Sequence, residues 1–396
     1  MTYTYRAVEG GKGIKIWGGP MEDGALAQAD DLARLPFVID HVALMPDAHQ
    51  GYGMPIGGVL FADKAVVPYA IGVDIGCGVI LAQTDLRAGD LVREALPKVA
   101  QQVLRDVPVG NGPGGNLTAR LNEDFALNLM GYAEMPHMVS WGAWNGALGQ
   151  LGTLGGGNHF IEFQADEDNR VYVMIHSGSR SLGKKTCDDF VAQALELNDL
   201  WHSRLPNREL AFLPTETPQF DNYWDAMAFA MRFAEVNRDQ MLNKVQLAFN
   251  RHAPTTLTTI VDCHHNYANW ENHLGKNGIV HRKGAVQARL GQDVLIPGSM
   301  GTASYWAKGL GNKDSFETCQ HGAGRAMARG VARRTITLEN MEASLAKAQT
   351  TVYTHSLDAV RDEAPGAYKN VEDVMAASSD LVEVVKKLRP LGTVKG

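Results

Sequence analysis

The chain has 396 residues, 45% of them hydrophobic and 20% charged, a profile that excludes disorder and supplies material for a large core. Its formal net charge of −7 excludes a generally basic surface, so a polyanionic partner would have to meet local cationic patches. No stretch reaches the roughly 18 uninterrupted apolar residues of a spanning helix, Met1 to Arg6 lacks a secretion signal, and Cys77, Cys187, Cys263 and Cys319 show no Cys-x-x-Cys spacing, so a cytoplasmic protein with reduced thiols and no membrane partner is expected.

No Ser/Pro-rich linker, charge run or internal repeat marks a boundary, and residues 1–396 are expected to form a single large domain. Near the start, residues 14–17 read as a strand and 23–35 as an amphipathic helix stopped by Pro36. An apolar strand from His41 then delivers Asp47 and His49 into a glycine loop. Residues 56–61 and 65–71 read as two strands leading into Gly72-Val73-Asp74-Ile75-Gly76-Cys77-Gly78-Val79, where a glycine-hinged bend offers a carboxylate and a thiol. Residues 91–104 have helical spacing, with Pro97 kinking the helix or sitting in its first turn, and 109–116 read as a mobile glycine loop.

Gly155-Gly156-Gly157-Asn158-His159 places backbone N–H groups and an imidazole at the start of a strand. The strand 171–175 ends in His176, followed by Ser179, Arg180, Lys184 and Lys185, a mixture suited to a metal ligand beside phosphate. Residues 222–251 read as one long helix, interrupted by Asn237 and Arg238, which face either solvent or a phosphate-binding cleft. Another β-branched run ends in Cys263-His264-His265-Asn266, and strand alternation sends the two imidazoles to opposite faces. Arg325 and Arg329 are spaced for one helix face, Thr337 is a helix N-cap, and 338–347 and 380–388 read as helices before a terminus expected to fray.

The informative members of the 13 histidines sit at strand ends beside glycine. Asp74, Cys77, His159, His176 and His265 together offer one hard oxygen, one soft sulfur and three borderline nitrogens, a set able to hold one or two transition metals of the manganese, iron or zinc type. His321 lies among small residues and phosphate donors. Its imidazole is read either as a nucleophile toward phosphorus, with Arg325 neutralising the phosphoryl oxygens, or as a further metal ligand or helix-start histidine. Metal-assisted phosphoryl or nucleotidyl transfer is the chemistry these residues support, and a metal-dependent phosphohydrolase or cyclic phosphodiesterase is the competing class.

Asp74-Ile75-Gly76-Cys77-Gly78, Gly157-Asn158-His159-Phe160, His176-Ser177-Gly178-Ser179-Arg180, His264-His265-Asn266, Arg282-Lys283-Gly284-Ala285, Pro297-Gly298-Ser299-Met300-Gly301 and His321-Gly322-Ala323-Gly324-Arg325 resemble, in that order, the motifs of the RtcB family of RNA-splicing ligases. The resemblance implies an α+β fold with a β-rich core, flanking helices and a metal and nucleotide cleft. It implies a GTP- and manganese-dependent ligase that joins RNA ending in a 2′,3′-cyclic phosphate or 3′-phosphate to RNA beginning with a 5′-hydroxyl, in tRNA splicing or RNA repair. By the same resemblance His321 forms a histidine–GMP intermediate. Cys77 bridges two Mn2+ ions, one held also by Asp74 and His159, the other by His176 and His265, with Asp47 as a further acidic residue nearby. The guanylate site takes in Asn158, His159, Phe160, Ile161, Glu162, His265, Asn266, Pro297, Gly298, Ser299, Met300, Ser304, His321, Gly322, Ala323, Gly324 and Lys395, with Tyr368 stacking on guanine. Lys184, Lys185, Arg238, Arg282, Lys283, Arg325 and Arg329 are the expected RNA-facing cations, and an activating protein partner is left open.

Overall fold

β-Branched and aromatic runs separated by glycine turns build two large sheets in the computed structural model, which describes residues 2–89, 94–110 and 122–396. The first has six strands in the order Tyr3–Arg6, Gly13–Trp17, Val38–His49, Ile56–Ala62, Lys276–Lys283 and Asn266–His273. Gly13–Trp17 and Val38–His49 pair in parallel, with the helix Asp23–Ala33 as their crossover. The second sheet runs Thr258–His264, Gly78–Arg87, Arg170–Ser177, Phe160–Ala165, Val382–Val394, Ser304–Gly309 and Asp293–Ile296, with Thr351–Tyr353 added in parallel to Val382–Val394.

Strands in the middle of this second sheet are apolar on both faces because both are covered. Ile80, Ala82, Ile161, Phe163, Val171, Val173 and Ile175 pack with residues of the helices Leu96–Asp106 and Pro218–His252. The alternate residues Val79, Leu81, Phe160, Tyr172 and Met174 pack with Leu295 and Leu388. Period-two alternation therefore carries Cys77 and His176 toward the same face, away from the long helix.

Several expectations are corrected by tertiary context. Residues 65–71 are a two-residue strand, Ala65–Val66, followed by a 3-10 turn at Pro68–Ala70, since Pro68 lacks the N–H that a continuing ladder needs. The helix expected over 91–104 spans Leu96–Asp106, with Pro97 in its first turn; residues 90–93, and 111–116 of the expected glycine loop, lie outside the described residues. Residues 380–388 are not a helix. They enter the strand Val382–Val394, whose first half pairs only with Ser304–Gly309 and leaves Val384 and Val385 47% and 37% exposed, and whose far end, beside Thr351–Tyr353, sets the ordered Lys395 N–H on Tyr353 O at 3.0 Å. Arg325 precedes the helix Arg329–Thr335 rather than sharing a face of it, and makes an isolated bridge with Tyr368.

Two arginines expected to face RNA are fully buried. Arg238, in the long helix Pro218–His252, donates through Nε to Asp262 at 2.8 Å and through Nη1 to Gly76 O and Ser177 O. Its neighbour Asn237 accepts from Gly152 N at 2.7 Å and donates to Thr153 O and Gly178 O, so the apparent interruption of the helix pins the loops behind the site. Arg282 pairs with Glu271 and donates to Phe316 O and Thr318 Oγ1. Charges removed from water persist only when paired, which a sequence shows as charge without showing the partner.

Burial would raise the Glu271 carboxyl, but Arg282 and His273 outweigh it and hold it down to about 2. The depressed value means that the pair's contribution is complete above the ordinary glutamate range and is lost as pH falls from about 4.5 toward 2. Glu271→Gln, which strands the Arg282 charge, is expected to cost about 3–5 kcal/mol in urea unfolding at neutral pH. It should also flatten the acid limb of the stability profile. A variant as stable as the parent at pH 7 would contradict this.

Candidate active site

Four adjacent antiparallel strands of the larger sheet place the motif residues together. At one end of the sheet, Thr258–His264 and Arg170–Ser177 finish where Gly78–Arg87 and Phe160–Ala165 begin, in the registers His264↔Gly78, Gly78↔Ser177 and Phe160↔His176. Cys77 and His159 enter there, and His176 and His265 leave. All four are buried. His264 turns the other way, onto Glu235 of the long helix at 3.0 Å and Gly76 O at 2.8 Å, as strand alternation requires.

The donor atoms converge on one another. Cys77 Sγ lies 3.5 Å from His159 Nε2 and 3.3 Å from His176 Nε2, and the latter lies 3.3 Å from His265 Nε2. His159 Nδ1 faces Leu154 O at 3.0 Å, with Arg180 Nη1 at 3.4 Å, and donation from Nδ1 to that carbonyl turns Nε2 toward the cluster as a lone pair. Asp74 Oδ2 reaches that same Nε2 at 3.1 Å, while Oδ1 accepts from Ser179 N at 3.1 Å. Gly178 makes the approach possible, because a Cβ there would sit 2.2 Å from Asp74 Oδ2. Burial pushes His176 and His265 well below the ordinary histidine range, so both rings are neutral. Burial and Asp74 push the Cys77 thiol well up, so a thiolate here needs added positive charge. Neutral imidazoles, a carboxylate and a thiol facing one point fit a transition-metal centre.

His321 closes the far side. Its ring centroid is 4.8 Å from that of His265. Asp47, fully buried, accepts from His321 Nδ1 at 2.7 Å and from its backbone N–H at 3.1 Å through the same Oδ2. Nδ1 is therefore the donor, and Nε2 carries the free lone pair. Between this ring and the strand ends opens a cavity of about 700 Å³, lined by Asp74, Cys77, His176, His265, His321 and, further out, Phe160, Glu162, Ser299, Met300, Tyr368 and Lys395.

The structure thus gathers most of the expected residues, and leaves Asp47, His159, Ile161 and Ser304 out of the lining itself. Asn158, Asn266, Pro297, Gly298, Gly322, Ala323 and Gly324 line the cavity with those just named. Ile161 does not, because alternation turns it into the opposite core. Ser304 stands behind the wall, where its Oγ accepts from Gly298 N at 3.1 Å and from Gln164 at 3.0 Å. Glu162 is held by Gln164 and Thr393, and burial pushes its carboxyl up to about 7. Of the expected RNA-facing cations, Lys184 is exposed and paired with Asp188, Lys185 donates to Gly142 O, and Lys283 is buried under backbone carbonyls including Met54 O at 2.9 Å.

The model of the family described as tRNA-splicing ligase RtcB matches residues 28–396. The chain belongs to the RtcB family. RNA-splicing ligase RtcB of Escherichia coli K12 is 39% identical over 401 residues, covering 97% of each chain. The RNA-splicing ligase RtcB of Mycobacterium tuberculosis is 35% identical, over 93% of this chain and 100% of its own. The tRNA-splicing ligase RtcB of Nanoarchaeum equitans is 32% identical, over 95% and 92%. Among the described residues no helix is long and apolar enough to cross a membrane.

Within this RtcB-family cavity one residue escaped sequence reasoning altogether. Glu363, buried in a 3-10 turn, gathers Arg325 at 3.0 Å, Lys395 at 3.4 Å, Arg329 and the Tyr368 hydroxyl around one carboxylate. The surrounding Arg361-Asp362-Glu363-Ala364 carries no local signal of this. Three of the five N–H groups of Arg325 are correspondingly committed, from Nε, Nη1 and Nη2 to Met327 O, Glu363 and Asp362 O.

Proposed function

We propose that this RtcB-family RNA ligase joins RNA ending in a 2′,3′-cyclic phosphate or 3′-phosphate to a 5′-hydroxyl end, using GTP and a His321–GMP intermediate. The observation that carries the reading is the placement of one imidazole, backed by a buried carboxylate, across a single cavity from a cluster of metal-ligand types. Asp74 and His159 would hold one Mn2+ and His176 and His265 a second, with Cys77 shared between them. Bound there, the ions supply the positive charge that a buried thiolate needs and that phosphate oxygens gain from.

The protein's own residues account for the rest. Asp47 fixes the His321 tautomer, so Nε2 attacks the α-phosphorus of GTP while the bond from that phosphorus to the pyrophosphate oxygen breaks. The positive charge left on the ring is offset by Asp47. The guanine end would lie among Phe160, Glu162, Ser299, Met300, Tyr368 and Lys395, with Glu363 holding Tyr368, Arg325 and Lys395 in place. GMP passes from His321 to the RNA 3′-phosphate, and attack of the 5′-hydroxyl on that activated phosphate releases GMP and leaves a phosphodiester.

Incubation of the pure protein with α-labelled GTP and Mn2+ is expected to leave acid-labile label on the protein. Chasing with a pair of RNA fragments bearing a 3′-phosphate and a 5′-hydroxyl should discharge the label and yield joined RNA. Opening of a cyclic phosphate without protein labelling or joining would instead make the protein a phosphodiesterase.

A further inference from the structure

We infer that Lys369 is a positioning residue for the nucleophile: its ammonium clamps the two peptide carbonyls that flank Asp47, and so fixes the carboxylate on which His321 is held. The inference rests on the reading of His321 as the nucleophile. Lys369 Nζ donates to Pro46 O at 3.1 Å and to Ala48 O at 2.7 Å. The residue between those carbonyls is Asp47, whose Oδ2 takes both His321 hydrogen bonds.

The clamp sits where the sheet gives no support. Val38–His49 pairs with its parallel neighbour only as far as Leu44, and its register with Ile56–Ala62 slips between Leu44 and His49. Residues 45–48 therefore have no registered partner on either side, and one side chain from a segment more than three hundred residues away takes two of their carbonyls. The same lysine's backbone N–H donates to Gly324 O at 2.9 Å. Gly324, with φ +72°, is packed so tightly on this segment that a Cβ would lie 2.3 Å from Asp47 O. Its neighbour Tyr368 lines the cavity, with its ring 5.3 Å from the Arg325 guanidinium. Lys369 thus ties the wall expected to meet guanine, the loop after His321 and the Asp47 peptide into one unit.

The chemical consequence concerns one step. Formation of the Nε2–phosphorus bond, with departure of pyrophosphate, needs the ring aimed along the line of attack while its Nδ1 proton stays on Asp47. An ångström of drift in such a geometry costs on the order of 100-fold in rate. Joining an RNA 3′ end that already carries GMP does not use His321 as nucleophile, and should not depend on the clamp.

The test compares Lys369→Met, Lys369→Gln and Lys369→Arg with the parent in single-turnover labelling by α-labelled GTP over a range of concentrations. A second assay measures sealing of an RNA whose 3′-phosphate has been guanylylated beforehand. Lys369→Met and Lys369→Gln are expected to lower the maximal labelling rate about 30- to 100-fold with half-saturating GTP changed less than about threefold. Lys369→Arg should recover most of the loss, and all three should seal the pre-activated RNA within about threefold of the parent. Labelling at the parental rate, a loss confined to GTP half-saturation, or an equal loss in sealing would each overturn the inference, and if Met does not fold, the Gln and Arg variants decide. A parent protein that takes up no label would instead sink the His321 reading itself.

Discussion

Replacing His321 with alanine is expected to abolish covalent labelling by α-labelled GTP, a loss of at least about 10³-fold, and RNA joining with it. The expectation follows from the hydrogen bonds rather than from the residue type. Asp47 takes the Nδ1 proton, which leaves one lone pair facing a cavity lined by metal-ligand types. His265 is close by, but burial keeps its ring neutral and its Nε2 lies 3.3 Å from that of His176, so it is placed to bind a cation and not to attack a nucleotide. Because His321 is not needed in the donor cluster, the alanine variant should bind the parental amount of metal by elemental analysis. Asp47→Asn keeps the ring but removes the charge that offsets the phosphorylated imidazole, and should slow labelling by about 10²-fold or more. Retained labelling of the alanine variant would place the nucleophile elsewhere.

Cys77→Ala is expected to lose bound metal while keeping the fold. The sulfur is the one donor in contact with both His159 and His176, so its removal takes a ligand from each half of the cluster. Outer-sphere partners alone are worth about 10- to 100-fold in metal affinity, and loss of a direct, shared ligand should exceed that. Two measurements check the outcome: metal content after gel filtration, and the far-ultraviolet circular dichroism, which should not change. The parent's affinity should also fall as pH falls, because the buried thiol binds a proton more tightly than an exposed one and must release it to bind metal. Undiminished metal in the alanine variant would remove Cys77 from the centre.

Lys369 and Glu363 illustrate what chain order hides. Both act on partners supplied by remote segments, and neither stands in a motif. Arg238 and Arg282 err in the opposite direction, reading as exposed phosphate binders while each is fully buried against a carboxylate. The stretch 380–388 has apolar residues at 381, 382, 384, 385 and 388, which is helical spacing, yet pairing of 382–388 with Ser304–Gly309, continued over 389–394 by Phe160–Ala165, draws it into a sheet. Local propensity is a weak prior once a ladder of hydrogen bonds competes with it.

The sequence by itself determined the donor chemistry: a carboxylate, a thiol and imidazoles at glycine-flanked strand ends, with a separate histidine among small residues. Those features are local, since ligand type belongs to the side chain and strand-end position shows in the change from β-branched runs to glycine. Only the tertiary structure decided which charges are paired in the core, which face Ile161 takes, and that Asp47 rests between His321 and a lysine clamp. These are matters of burial and partnership, and the free energy of a buried charge or carbonyl depends on groups that the fold brings from hundreds of residues away.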